Sequence, residues 1–227
     1  MKLDLEIVLS EYENVLGGYT GLFCFRLINL CVKADPSCLL PAVIKVRGQE
    51  MKIEQVAKVG LRAEDQLDVY PLHEDLMLPI SKGIMEIHPE FKMSEEKAKL
   101  DNGKDYRYLR FTMPEVNKDR RDVLNNGVEV FFNECKTQGD TAKQKYALKM
   151  KNEMRGCSRQ DVDEAQDKFD SISDNFKKMI NTIVEDKKKE IAEAYQRYCE
   201  NQSNSASVLN QSAAHNDSAK SSFRGKK

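Results

Sequence analysis

The C-terminal half of the chain repeats apolar residues at intervals of three and four, which predicts two long helices. In residues 117–154 the repeating set is Leu124, Val128, Phe131, Cys135, Ala142 and Tyr146. In residues 158–200 it is Val162, Ala165, Phe169, Ile172, Phe176, Ile180, Ile183 and Ile191. One apolar stripe per helix is typical of helices that pack in a bundle. Asn117 and Ser158 precede the stripes and are suited to cap the first backbone N–H groups of each helix.

The N-terminal segment, residues 1–33, is predicted as a third helix. Its apolar stretch from Val15 to Val32 contains Gly17, Gly18 and Arg26. It is therefore shorter than the roughly 20 apolar residues that a membrane span needs. A buried helix is the interpretation that we favour, although a wrongly assembled gene is the alternative for residues 17–30.

The segment between these helices, residues 34–113, has a different character. It holds most of the prolines and short runs with strand-like alternation. Strands are predicted at 42–46, 51–56, 66–70 and 106–113, a helix at 75–87, and a loop at 92–104. This pattern indicates a small α/β domain inserted into a helical bundle.

The resulting organisation is α+β and discontinuous. Residues 1–33 and 114–200 form a three-helix bundle domain, and residues 34–113 form the inserted domain. The two connections are predicted to act as a hinge, built by Ala34 and Pro36 in the first and by Met113 and Pro114 in the second. Residues 201–227 are rich in Ser, Asn and Ala and are predicted to be a disordered tail.

Composition and motifs argue against catalysis. The 227 residues carry a formal net charge of −1, so no global field directs the protein towards nucleic acid or membrane. The three histidines are scattered and no phosphate-binding loop is present, so we expect no catalytic residue and no cofactor. The six cysteines match no zinc-binding spacing. We therefore expect reduced thiols in an intracellular protein, without a metal site.

Three lysines on the first of the long helices are candidates for binding RNA. Lys136, Lys143 and Lys151 are seven and eight residues apart and would line one face of the helix. A basic line along a rod can follow a phosphate backbone. Ordinary solubilising lysines are the alternative, which the spacing alone favours.

Four stretches together resemble the ribosome recycling factors, over residues 33–195. Residues 111–124 are similar to the family's segment of a proline, a helix cap, acidic residues and an Arg-Arg pair. Residues 157–191 resemble its last helix without gaps. Residues 54–57 are similar to its Gln-Val-Ala strand, and residues 33–36 to its Gly-Arg-Ala-Ser-Pro hinge motif, with Lys33 at the arginine position.

The resemblance implies an L-shaped molecule, with a three-helix bundle and a smaller β/α/β domain joined by two hinge segments. It implies a factor without catalysis that binds the RNA of the large ribosomal subunit after termination. An elongation factor G-type GTPase, with GTP, then drives the subunits apart. Several arginines of the family's first long helix are replaced here, since the matching positions are Lys136, Asp140, Lys143 and Gln144.

The Arg-Arg pair is the most unusual part of this match. Arg120 and Arg121 lie in the first turn of a helix, where positive charge costs about 0.3–1 kcal/mol each. They are expected either to face the hinge or RNA, or to form ion pairs with Asp119 or Asp122. The first possibility makes them RNA-binding candidates, together with Lys33.

These residues lead to one main expectation and one alternative. The main expectation is a monomeric ribosome recycling factor of mitochondria, with cytoplasm or a plastid as other locations. The divergent sequence, the cysteines and the polar tail favour mitochondria, while the acidic N-terminus is unlike a transit peptide. The alternative is a helical interaction protein that kept the fold and lost recycling.

Overall fold

The computed structural model of the chain describes residues 3–99, 103 and 105–221, and the side chains within 4–99 and 105–204. It is an α+β protein with two separate hydrophobic cores. Three long helices, drawn from both ends of the sequence, share one core. The other core belongs to a domain inserted between the first and second of these helices. The predicted fold class is therefore confirmed.

The described residues form five α-helices, six β-strands and two 3₁₀ turns. The helices are α1 (Leu3–Ile28), α2 (Ile53–Val56), α3 (Met77–Ile87), α4 (Lys118–Glu153) and α5 (Arg159–Ser221). The strands are β1 (Val43–Val46), β2 (Gln49–Lys52), β3 (Ala57–Ala63), β4 (Gln66–Pro71), β5 (Lys92–Lys99) and β6 (Asp105–Thr112). The 3₁₀ turns cover Pro36–Leu39 and Glu74–Leu76.

The centre of the bundle is a cluster of three aromatic rings, one from each helix. Tyr12 of α1 stacks on Phe169 of α5, with 4.7 Å between ring centroids, and lies 5.3 Å from Tyr146 of α4. The Tyr12 hydroxyl shares a buried 3.0 Å hydrogen bond with Ser173 Oγ of α5. Aromatic pairs of this kind contribute about 0.5–1.5 kcal/mol beyond the area that they bury. The cluster therefore joins all three helices at one level of the bundle.

Residues 17–28, for which the sequence left two interpretations open, lie in helix α1. The helix continues to Ile28, and Asn29 and Leu30 form the turn that follows it. Most of its buried residues are spaced by three, four and seven: Leu5, Leu9, Tyr12, Leu16, Phe23 and Leu27. Val8 is buried beside them. The predicted buried helix is therefore confirmed as far as Ile28.

Both long C-terminal helices begin at the predicted caps. Asn117 Oδ1 accepts a 2.9 Å hydrogen bond from the backbone N–H of Arg120 at the start of α4. Ser158 Oγ accepts one of 3.2 Å from the Asp161 N–H and donates one of 2.7 Å to the Asp161 carboxylate. Each cap satisfies a backbone donor that has no partner within the helix, which is worth about 1 kcal/mol.

The inserted domain contains two antiparallel sheets. Strands β1 and β2 form a hairpin, whose turn places Arg47 at φ +50° and Gly48 at φ +82°. The second sheet has the strand order β3-β4-β6-β5. Helix α3 packs on β1 so closely that a Cβ at Gly83 would lie 2.8 Å from the Val43 carbonyl oxygen. The predicted strands at 42–46, 66–70 and 106–113 and the helix at 75–87 correspond to β1, β4, β6 and α3.

Two predictions within this domain are wrong. The charged stretch predicted as a loop at 92–104 forms strand β5 over its first eight residues, while 100–102 and 104 lie outside the described residues. β5 is an edge strand that pairs only with β6 and is almost wholly exposed, so its sequence has no apolar alternation. The strand predicted at 51–56 ends at Lys52, and α2 follows. Ile53 and Val56 are three residues apart, a spacing that also suits one helical turn.

Helix α5 differs from the predicted tail. It runs to Ser221, through most of the segment 201–227 for which composition predicted disorder, and residues 222–227 lie outside the described residues. Extension of an existing helix adds one hydrogen bond per residue without the cost of a new nucleus. A polar, alanine-containing segment that follows a long helix can therefore continue it.

Candidate RNA-binding surface and hinge

The chain passes between the two cores within a few residues at each connection. Cys31 is buried in the core of the inserted domain, while its neighbour Val32 is buried in the bundle core. On the return, Met113 belongs to the inserted domain and Val116 to the bundle. These crossings lie close to the domain boundaries that the sequence predicts.

Both connections are hydrogen-bonded to one tight turn, which joins β3 to β4. The Ala34 N–H donates to the Glu64 carbonyl at 2.7 Å, and the Met113 N–H donates to the Asp65 carbonyl at 2.8 Å. Two of the predicted hinge residues therefore hold the two connections side by side. The Glu64 carboxylate also pairs at 2.8 Å with Arg197 of α5. The sequence carries no signal for Glu64, Asp65 or Arg197, because their roles depend on where the sheet meets the bundle.

The two predicted hinge prolines occupy different positions. Pro36 begins the 3₁₀ turn Pro36–Leu39, which Asp35 caps by accepting a 2.8 Å hydrogen bond from the Ser37 N–H. Pro114 lies in the irregular segment that leads from β6 to α4. The fixed φ of proline restricts the backbone of each connection. Motion about these residues stays a prediction.

Arg120 points to the hinge. Its Nη2 donates to the Cys31 carbonyl oxygen at 3.0 Å, which joins the start of α4 to the first connection. Its Nε is buried and has no hydrogen-bond partner in the part of the chain that the structure describes. Burial lowers the pKa of Arg120. Electrostatic interactions with Glu90 and Cys31 act in the other direction and offset part of this shift.

Arg121 forms the predicted ion pair instead. Its Nε and Nη2 donate to Asp122 Oδ1 at 2.9 and 2.8 Å, and this bond raises the pKa of Arg121. The guanidinium also stacks on Tyr195 of α5, 4.5 Å from the ring centroid. The adjacent arginines thus divide between the two expectations, one at the hinge and one in an ion pair.

The three candidate lysines of α4 differ in their surroundings. Lys136 and Lys151 are exposed, and neither has an anionic partner among the described residues. Lys143 is half-buried and pairs with Asp170 of α5 at 3.3 Å. At 3.6 residues per turn the three lie within about a quarter of the helix circumference, with the exposed Asp140 among them. A binding role for these lysines stays a prediction.

Lys33 lies in the first connection, between the two domains. Its Nζ is 3.9 Å from Glu190 Oε1 of α5, and 58% of its side chain is exposed. Lys187 also pairs with Glu190, at 2.9 Å. Lys33 is therefore weakly paired and accessible, as a phosphate contact would require.

Among the described residues, no helix is both long enough and apolar enough to cross a membrane.

Comparison with known proteins gives consistent matches. The family model for ribosome recycling factor matches residues 27–192. The ribosome-recycling factor of Hydrogenobaculum sp. (strain Y04AAS1) is 25% identical over 190 residues, which are 83% of this chain and 98% of that protein. A solution structure of the ribosome recycling factor is similar with a TM-score of 0.64 and 17% identity, and covers 85% of this chain and 100% of its own.

A second similar structure comes from a ribosomal assembly. It belongs to models for the T. thermophilus ribosome recycling factor and the E. coli elongation factor G bound to the E. coli post-termination complex. The TM-score is 0.53, with 18% identity, 82% of this chain covered and 98% of that one. The two structures support the fold, and the family model covers most of the sequence. The chain belongs to the ribosome recycling factor family.

Proposed function

We propose that this protein binds the large ribosomal subunit after translation termination. An elongation factor G-type GTPase, with GTP, then acts on it to promote separation of the subunits. The family match over residues 27–192 carries this proposal. The protein acts without catalysis of its own, as a monomer and without a cofactor.

The architecture supports a mechanical role. The bundle is a long rod with a continuous core, and the inserted domain has a core of its own. Two short connections and a few side-chain contacts join them, and both connections are hydrogen-bonded to the β3–β4 turn. A force on the inserted domain can therefore be passed to the bundle without disturbing either core.

The exposed basic side chains support contact with RNA. Lys33, Lys136 and Lys151 are accessible, and phosphate contacts are the usual source of affinity for RNA. Lysine lacks the bidentate fork of arginine, so each contact is that of a point charge. We therefore expect modest affinity that depends strongly on salt.

Cosedimentation tests the proposal. The purified protein is centrifuged with bacterial and with mitochondrial large subunits, at low and at raised salt. We expect binding that weakens as salt rises, because each neutralised phosphate releases counterions. Subunit separation with elongation factor G and GTP is then measured by light scattering.

A charge-matched pair of variants locates the surface. One variant changes Lys136, Lys143 and Lys151 to Gln. It should bind the large subunit less tightly, and its affinity should fall less steeply as the salt concentration rises. The control changes three exposed lysines of the inserted domain, Lys58, Lys82 and Lys97, which removes the same charge. Equal binding by both variants would exclude the α4 lysines as the contact surface.

The alternative, a helical interaction protein that lost recycling, has one observation in its favour. Arg121 and Lys143 are already engaged by Asp122 and Asp170, so fewer cations are free than the family pattern implies. A folded protein that does not bind any large subunit at low salt would support this alternative.

We propose mitochondria as the location. The support is the divergence from a bacterial relative, at 25% identity, together with six cysteines that are free where the structure describes them. Fractionation of cells that express a C-terminally tagged chain tests this. Recovery with cytoplasmic or plastid ribosomes would replace the mitochondrial location.

A further inference from the structure

Three potential metal ligands that are far apart in sequence meet beside the first connection. They are Cys31, Cys38 and His88, all of them buried. One ligand atom from each lies within 4.8 Å of the other two. The residues come from the end of the α1 turn, the 3₁₀ turn and the end of α3, so sequence spacing did not reveal them. Two thiols and an imidazole are the ligands that zinc prefers.

The hydrogen bond at Nε2 of His88 decides which of its nitrogens could bind a metal. Nε2 lies 3.0 Å from the Cys38 carbonyl oxygen, which can only accept, so Nε2 carries the proton. Histidines that bind metals commonly donate their other N–H to a backbone carbonyl in this way. Nδ1 is therefore the nitrogen that a metal would bind, after it loses any proton that it shares with Glu90 Oε1, 3.4 Å away.

The backbone at Cys31 has a conformation that L-residues rarely adopt. Its φ is +45°, in the left-handed region that favours glycine, where a side chain costs about 1 kcal/mol or more. The turn takes the chain out of α1 and buries Cys31 in the core of the inserted domain. Backbone outliers of this kind concentrate at functional sites.

The Arg120 cation lies next to the cluster, and the carboxylate of Glu90 acts on it electrostatically. The Arg120 guanidinium donates to the Cys31 carbonyl, and its buried Nε has no partner within the described residues. Buried charges are normally paired. Two metal-bound thiolates and a carboxylate around a divalent ion would carry a net charge of −1, so metal binding would keep the negative charge that Glu90 already places near Arg120.

We propose that Cys31, Cys38 and His88 Nδ1, with the Glu90 carboxylate beside them, form a binding site for Zn²⁺. Ligands about 2.3 Å (sulfur) and 2.1 Å (nitrogen) from a tetrahedral zinc ion lie roughly 3.5–3.8 Å apart. The Cys31 sulfur is already 3.8 Å from Nδ1. It is also 3.8 Å from Nε2, so binding requires the imidazole to turn until the Nδ1 lone pair faces the ion, and the Nε2–Cys38 hydrogen bond must adjust with it. The ion would fasten the first connection to the inserted domain.

Titration with Co²⁺, which reports thiolate ligands by its absorption, tests the site in the full chain. The reduced protein is freed of metal with a chelator and titrated anaerobically with Co²⁺ and then with Zn²⁺. We expect one ion per chain, sulfur-to-cobalt charge-transfer bands from two thiolates, and displacement of Co²⁺ by Zn²⁺. Zinc should also raise the Tm of the metal-free protein.

Three variants identify the ligands. Cys31→Ser and Cys38→Ser should each weaken zinc binding by more than about 100-fold, because even the loss of a group that only orients a ligand costs about 10–100-fold. Cys135→Ser is the matched control, since Cys135 is equally buried but lies in the bundle core. It should bind zinc as the native chain does.

A fourth variant keeps the test decisive if the serine variants do not fold. It replaces Cys24, Cys135, Cys157 and Cys199 with Ala, so that Cys31 and Cys38 are the only thiols left, and it should still bind one ion. Loss of the charge-transfer bands in this variant would overturn the proposal. The proposal would also be overturned if the reduced native chain bound neither Co²⁺ nor Zn²⁺. The same holds if the two thiols form a Cys31–Cys38 disulfide on oxidation but bind no ion when reduced.

Discussion

Two adjacent arginines show how much the surroundings of a residue decide its role. Arg120 and Arg121 occupy the same helical turn and carry the same charge, yet they point to different neighbours. Arg120 contacts the backbone of the first connection, and Arg121 contacts Asp122 and Tyr195. The cost of placing cations at a helix N-terminus is therefore offset by two unrelated sets of contacts.

The Arg120 contact predicts a local effect on the first connection. In Arg120→Ala, we expect the amides of Cys31 and Ala34 to exchange about tenfold faster, measured by hydrogen exchange. A hydrogen bond from a charged group contributes about 1.5–3 kcal/mol, less the cost of half-burying the guanidinium. Arg121→Ala is the control and should leave these amides unchanged, since Arg121 contacts neither residue. Equal exchange in both variants would show that Arg120 does not hold the connection.

At the scale of the element, the contact between α4 and α5 depends on a glycine. Gly139 lies on the apolar stripe of α4, where glycine costs the helix about 1 kcal/mol relative to alanine. The ring of Phe176 packs against it, so that a Cβ at this position would lie 2.3 Å from the ring. The weak helix former is thus the residue that lets the two helices approach.

Gly139→Ala is therefore expected to destabilise the protein. Overpacking a core costs about 1–3 kcal/mol, which exceeds the gain in helix propensity. We expect the free energy of unfolding to fall by up to about 2 kcal/mol, measured in urea. Gly18→Ala is the matched control, because Gly18 is exposed inside α1 and a Cβ there meets nothing within 4 Å. That variant should gain up to about 1 kcal/mol, and a similar gain in Gly139→Ala would contradict the packing argument.

At the scale of the whole molecule, the two domains meet through few contacts. The β3–β4 turn accepts hydrogen bonds from both connections, and its Glu64 pairs with Arg197 of α5. About half of each of these two side chains is exposed, so their pairing contributes at most about 1 kcal/mol. The pair therefore affects the orientation of the domains more than their stability.

Reversing the charge of Arg197 should loosen this orientation. In Arg197→Glu, two carboxylates face each other, and we expect a broader distance distribution between spin labels on α4 and on the four-stranded sheet. The midpoint of thermal unfolding should change little. The exchanged pair, Glu64→Arg with Arg197→Glu, should restore the narrow distribution. A distribution that does not change in the single variant would mean that the connections alone set the orientation.

The sequence was informative wherever the physical cause of a structure is local. The apolar periods of three and four predicted α4 and α5, and their first residues were predicted from the caps Asn117 and Ser158. Both signals are local, because helix faces and caps depend on residues within about four positions of each other. The prolines and the change of composition placed the connections for the same reason. The charged edge strand β5 was not predicted, because it forms through pairing with β6 and its own sequence has no strand-like alternation.

Only the tertiary structure decided which distant groups meet. Sheet register places the β3–β4 turn under both connections, and packing brings Cys31, Cys38 and His88 within 4.8 Å. The sequence predicted no metal site, because these three residues lie on separate elements and have no common spacing. Arg120 could equally have faced RNA, until the fold placed the Cys31 carbonyl within its reach. Local patterns thus determined the elements, whereas contacts between elements far apart in sequence determined how the two connections pack and where the candidate site forms.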